Sequence, residues 1–154
     1  MAARIAAQPG PLTVIFDADN TLVPQGAPPH QFAQRVGEVI DRFDQLPSVE
    51  RVIVLSNGPQ RGADRMIARG NKPWTTRWRL GIARRSAAEI WVVGDQILTD
   101  GILAWRLGAV FLHYAIDPND DYPRQTRMRR LGRIVAPLIF SRGALSGPPD
   151  HSGT

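Results

Sequence analysis

Four short apolar runs set the limits on how this chain can fold: residues 12–16 (LTVIF), 52–55 (VIVL), 90–93 (IWVV) and 109–112 (AVFL). None alternates polar with apolar positions, the pattern of strands that are covered on both faces. Between them lie segments with helical spacing. Residues 31–46 place Phe32, Val36, Val39, Ile40 and Phe43 on one side and stop before Pro47. Residues 74–85 and 98–107 predict two further helices, the second closed by Gly108 as its C-cap. Strands alternating with helices predict an α/β fold: a doubly wound, Rossmann-like parallel sheet with helices on both faces.

A chain of 154 residues, 43% apolar and 21% charged, suits one domain with its own core. The expected division is an N-terminal extension (1–10), a catalytic-sized core (11–121), a basic C-terminal helix on or beside that core (122–142) and a disordered Gly/Pro/Ser-rich tail (143–154). The net charge of +5 belongs to the end of the chain. Residues 1–121 hold 13 cationic and 13 acidic side chains, whereas 122–142 hold six Arg and no acid. There is no Cys, which excludes disulfides, thiolate metal sites and a cysteine nucleophile. The opening residues are too weakly apolar for a signal peptide, and no run reaches the roughly 18 residues of a membrane span. The expected location is the cytoplasm, with contact to a membrane limited to its surface.

In open α/β sheets ligands bind beyond the carboxyl ends of the strands. Here the residues that follow the first three apolar runs are Asp17, then Ser56 and Asn57, then Gly94 and Asp95. Asp19 follows Asp17 in FDADNTLV, and Asp100 follows Asp95 in GDQILTD. Up to four carboxylates therefore converge on one edge, an arrangement that requires a cation. An oxygen-only set with few protein ligands suits Mg²⁺. Taken singly, DxD, SNG and GDxxxxD are also turn and cap sequences; their order at successive strand ends is the stronger signal. Of 19 cationic side chains, 18 are Arg and one is Lys72, in GNKPW. A compact ammonium fits a crowded site where it must meet a carboxylate and a phosphate oxygen together.

These motifs resemble the haloacid dehalogenase superfamily of phosphatases over residues 12–114: FDADNTLV its first motif, LSN its second, NKP its third and VVGDQILTD its fourth. The wording DADNTLVP, KPW and GDQILTDGILAWRLG is most similar to the capless (subclass IIIA) YqeG-type branch, related to mitochondrial phosphatidylglycerophosphate phosphatases. The resemblance implies an aspartyl-phosphate mechanism. Asp17 would be the nucleophile, and Asp19 would protonate the leaving alcohol and later accept a proton from water. Mg²⁺ would be held by Asp17, the Asp19 carbonyl, Asp95 and Asp100. Ser56 and the amides around Ala18 and Asn57 would hold phosphate oxygens, and Lys72 would offset their charge. The implied substrate is a phosphorylated lipid headgroup, with a small soluble phosphorylated metabolite as the alternative.

Only 15 residues separate Ser56 from Lys72, fewer than the branch usually has, so either a helix of one or two turns follows Pro59 or residues 66–69 form an irregular strand. The same shortness leaves no room for a cap domain, and residues 18–29 make at most a small flap. In 123–140, Met128, Leu131, Ile134, Val135 and Leu138 fall on one arc opposite Arg129, Arg130 and Arg133. That helix is expected to dock on the sheet, while its basic face suits anionic lipid or nucleic acid. Trp74, Trp78 and Trp105 are expected in the core or between helices. His30 and His113 have no spacing partner. Two other classes are compatible with parts of the pattern: a phosphoacceptor receiver domain, whose motif order differs, and a non-catalytic, Arg-tailed nucleic-acid-binding protein. An oligomer is compatible with an uncapped site.

Overall fold

The computed structural model describes residues 2–24, 26–59, 62–63, 66–114 and 130–137. Five parallel strands form one sheet in the order β3-β2-β1-β4-β5: β1 Leu12–Asp17, β2 Val49–Leu55, β3 Met66–Ile67, β4 Glu89–Gly94 and β5 Val110–His113. The central strand, β1, is buried at all six positions and pairs with β2 from Leu12 to Asp17 and with β4 from Leu12 to Phe16. Full burial on both faces explains why its sequence does not alternate.

The chain winds from β1 outward to β2 and β3, then crosses to β4 and β5. Right-handed crossovers in opposite directions put connections on opposite faces. Helix α1 (Ala2–Ala6) and helix α2 (Pro29–Asp44) cover one face. There Ile5, Phe32, Val36, Ile40 and Phe43 pack on Val14 and Phe16. Helix α2 starts with Pro29 in its first turn, where a missing N–H costs nothing. On the other face Ile15, Ile53, Val92 and Phe111 meet Leu80, Ile82, Leu103, Ala104 and Leu107. This layer holds a π-helical turn (Ile97–Gly101), helix α3 (Ile102–Leu107) and a helical segment at 130–137. Gly108 ends α3 at φ +63°, the left-handed conformation that glycine adopts without strain.

Three expectations are corrected. Residues 74–85 are not a helix but a series of turns that lies flat on the second face. Thr76 Oγ1 accepts the Arg79 amide and Gly81 sits at φ +65°, so local side-chain bonding and a left-handed residue replace the helical ladder. Leu80 and Ile82, on either side of that glycine, go into the core. Trp74 and Trp78 are consequently exposed, at 63% and 88%, and Trp105 on the outer side of α3 is exposed at 60%. In the C-terminal segment it is Gly132 and Ala136 that face the core; Leu131 and Ile134 are exposed. Small residues there permit the close approach, since a Cβ on Gly132 would lie 3.0 Å from Ile97 Cβ. Met128, Arg129, Leu138 and the expected disordered tail lie outside the described residues.

The N-terminal extension contributes to the core, because Ile5 is fully buried and its carbonyl accepts the Ser48 hydroxyl. Between Ser56 and Lys72 a strand is present but reduced to the two residues of β3, and most of the segment after Pro59 that the alternative helix would occupy lies outside the described residues. Among the described residues no helix is long and apolar enough to cross a membrane. Phe32 anchors α2 with no exposed surface. Phe32→Ala is expected to lower the unfolding free energy by about 3–5 kcal/mol, read from urea melts.

Candidate active site

Strand β1 ends on Asp17, β2 runs into Ser56 and β4 into Asp95, all at the carboxyl edge of the sheet. The strand order reverses beside β1, and a crevice opens at such a switch point. Asp100 is delivered to the same edge by the π-helical turn, the wider turn that follows Gln96. Gly94 makes this approach possible: a Cβ there would fall on the Asp100 carboxylate. Asp17, Asp95 and Asp100 are buried, and one carboxylate oxygen from each lies within 4.8 Å of the others.

Lys72 enters this cluster from the second face of the sheet. Its ammonium pairs with Asp17 Oδ1 and, at 2.7 Å, with Asp100 Oδ1. Burial alone would lower the Lys72 pKa, but the Asp100 and Asp17 carboxylates outweigh it and hold the ammonium charged. For Asp17 the balance is opposite. Burial and the Asp100 carboxylate raise its pKa well above the ordinary carboxylate range, and Lys72 offsets only part of that. Three carboxylates against one ammonium leave two negative charges when all are ionised, so the donor set fits a hard dication with oxygen ligands. Asp17, Asp95 and Asp100 would hold it.

The described parts of the short path from Ser56 to Lys72 are held by hydrogen bonds. The Asn57 side chain clamps the Lys72 backbone on both sides, accepting its amide at 2.7 Å and donating to its carbonyl at 3.1 Å. The Gly70 amide donates to the Ser56 carbonyl and the Arg69 amide to the Gly58 carbonyl. Asn71, next to Lys72, adopts φ +55°, a conformation Asn tolerates better than most residues. Asn57 thus positions Lys72 with its side chain, a role that the sequence did not reveal.

Asp19 stands apart from the carboxylate cluster. Its Oδ2 accepts the Ser56 hydroxyl at 2.7 Å, and Ser56 Oγ in turn accepts the Gly58 amide. Ser56 therefore directs its proton to Asp19. Thr21 Oγ1 donates to Asp17 Oδ2 at 3.2 Å, holding the carboxylate from the far side. A hydroxyl four residues after an aspartate at a strand end was the available signal for Thr21. Ala18 is fully buried in the tight loop after β1, where its carbonyl accepts the Leu22 and Val23 amides. His113, for which no partner was expected, donates Nε2–H to the Asp95 carbonyl.

The structure brings together Asp17, Lys72, Asp95 and Asp100, and it places Asp19 with Ser56 beside them. Searches of family models, curated proteins and solved structures found no match to this chain.

Ionised Asp17 is the form a dication needs, and the metal-free fold disfavours it. Its contribution to metal-free stability is largest at low pH and declines as pH rises from the ordinary carboxylate value toward the raised one. Mg²⁺ should therefore raise the melting temperature, with an increment that grows as pH rises through that window. At a hundredfold excess over Kd the stabilisation is about 2.7 kcal/mol. Differential scanning fluorimetry across pH checks this; an increment absent at every pH would exclude the dication site. Gly94→Ala should remove the increment by displacing Asp100.

Proposed function

We propose that this chain is a Mg²⁺-dependent phosphomonoester hydrolase that works through an aspartyl-phosphate on Asp17. The observation that carries the reading is the buried trio Asp17, Asp95 and Asp100 with Lys72 set between two of its members. The order of the four motifs, which resembles the haloacid dehalogenase superfamily, supports it.

Each residue has a distinct task in this proposal. An Asp17 oxygen attacks phosphorus as the bond from phosphorus to the alcohol oxygen breaks. Asp19 gives its proton to that leaving oxygen. In the second half Asp19 takes a proton from water, the water oxygen attacks phosphorus, and the bond to Asp17 breaks to release inorganic phosphate. Ser56 holds Asp19 toward the reacting oxygens through its 2.7 Å bond. Thr21 steadies the nucleophile. Lys72 keeps a fixed positive charge beside Asp17 while negative charge spreads over the phosphoryl oxygens. Bound Mg²⁺ would supply a Lewis acid for those oxygens. Asp95 and Asp100 would hold that ion, and backbone amides near Ala18 and Asn57 would contact the phosphate. The first substrate candidate is a phosphorylated lipid headgroup and the second a soluble phosphorylated metabolite.

A phosphate-release screen with Mg²⁺ over phospholipid, sugar and nucleotide monoesters tests the reading. Asp17→Asn should lower release by at least about 10³-fold while the melting transition remains cooperative. Lys72→Arg should also lose most activity, because a planar guanidinium does not fit the place of a compact ammonium between two carboxylates. Full activity of Asp17→Asn would eliminate the proposed nucleophile.

A further inference from the structure

The second face of the sheet carries an unusual outer surface. Its layer is built from segments 72–88, 97–109 and 130–137, whose side chains share one core cluster through Leu80, Ile82, Leu103, Leu107 and Ala136. Cross-contacts join the segments: Arg77 Nη2 donates to the Leu107 carbonyl at 2.7 Å, and Arg106 Nη1 to the Pro73 carbonyl at 2.6 Å. Arg106 also stacks over the Trp74 ring, 5.0 Å from its centroid.

Nearly every large exposed apolar side chain among the described residues belongs to this layer. Trp74, Trp78, Trp105, Leu131 and Ile134 are all more than half exposed, and Tyr114 is the remaining member of the group. Exposed Arg79, Arg84, Arg85, Arg106, Arg130 and Arg133 lie among them. The three segments contain a single acid, Asp100, which is buried in the site. Glu89, the nearest exposed carboxylate in sequence, opens β4 at the opposite, amino edge. The outward surface of α2 is different in kind, with exposed Glu38, Asp41 and Asp44 beside Arg35 and Arg42.

We infer that this Trp- and Arg-bearing layer docks on the surface of an anionic phospholipid bilayer. Trp has an apolar body and a polar N–H, and Arg an apolar stem and a charged head. Both groups settle where acyl chains meet headgroups. Leu131 and Ile134 decide between partners. Aliphatic side chains gain free energy by leaving water for the acyl boundary and gain little against a polyphosphate backbone. A second copy of the chain is disfavoured because it would oppose Arg to Arg. The assignment rests on three segments packed into one layer, of which 130–137 is the described part of the basic C-terminal stretch. It is also independent of the proposed chemistry, although Trp74 lies only two residues beyond Lys72 and so sets the layer next to the site.

The test is sedimentation of the full chain with vesicles, alongside its tryptophan fluorescence. Phosphatidylcholine vesicles containing about a third anionic phospholipid should bind at least about tenfold more protein than pure phosphatidylcholine. Brominated acyl chains should quench the exposed tryptophans. Trp78→Ala combined with Arg79→Gln changes two exposed side chains, loses one exposed hydrogen bond to the Arg69 carbonyl and leaves the core intact; it should reduce vesicle binding by at least about tenfold while the melting transition stays cooperative. Asp17→Asn should bind as wild type does. Vesicle binding that survives the Trp78/Arg79 variant would show that this layer is not the docking surface and overturn the proposal. So would retention by an oligonucleotide but not by vesicles, or self-association in place of either. Vesicle binding without phosphate release would leave the docking layer standing and remove the hydrolase reading.

Discussion

One buried ammonium among three buried carboxylates governs the structure around the sheet's carboxyl edge. Lys72 is 9% exposed, and its partners Asp17 and Asp100 are 6% and 1% exposed. Desolvating such a group costs several kcal/mol, which pairing repays only when geometry is tight. The surroundings are accordingly specific. Thr21 fixes Asp17, the Gln96 amide fixes Asp100, and Asn57 fixes the backbone of Lys72. Removing the ammonium would leave carboxylates facing one another across a few ångströms. The cheapest relief would then be protonation, which would remove the ionised oxygens that a dication needs. A chain selected only for stability would place apolar residues here.

The topology explains why these residues meet at all. Parallel strands aligned in register bring all their carboxyl ends to one edge, so residues 17, 56 and 95 become neighbours without any local sequence relation. Reversal of strand order beside β1 separates the two crossover layers and opens the crevice. Asp100 and Lys72 arrive by different routes, one by a π-helical turn after β4 and the other by a hydrogen-bonded return after β3. Neither route is a regular helix. Each places one side chain, and Gly94 and Asn57 are what those routes require.

Much of this was legible from residue order. The apolar runs marked four of the five strands, because strands buried on both faces must be written in continuous apolar letters. Phe32, Val36, Ile40 and Phe43 marked α2 through their spacing. Asp17, Ser56 and Asp95 could be placed on one edge because that edge is fixed by strand direction alone, whereas Lys72 stood out only as the single lysine and through its motif. What escaped were features set by distant partners. Asn57 looks like an ordinary turn residue until the Lys72 backbone is beside it. The two-residue β3 is too short for periodicity, and its pairing with Val54 and Leu55 carries it. Residues 74–85 have helical letters, but the turn at Thr76 and the left-handed Gly81 break the ladder.

The exposed tryptophans follow from that broken ladder. Segment 72–82 begins at the carboxyl edge with Lys72 and reaches the amino side, where Arg51 at the start of β2 donates to the Gly81 carbonyl. A helix over the same residues would rise only about 15 Å and would bury one stripe. The turns instead bury Thr75, Leu80 and Ile82, which leaves Trp74 and Trp78 outward. Arg77 and Arg106 then tie the segment to α3 through backbone carbonyls, so the outward rings sit on a supported surface. Delivering Lys72 to the site and displaying aromatic rings on the flank are thus two results of one backbone path. Equal numbers of acids and bases in residues 1–121 conceal a division among the described residues: Asp17, Asp19, Asp95 and Asp100 gather at the site and Glu38, Asp41 and Asp44 on α2, while the outer layer of the second face bears arginine and no exposed acid. Charges divided in this way give the described surface two faces of unlike sign, the condition for electrostatic orientation of an approaching charged partner.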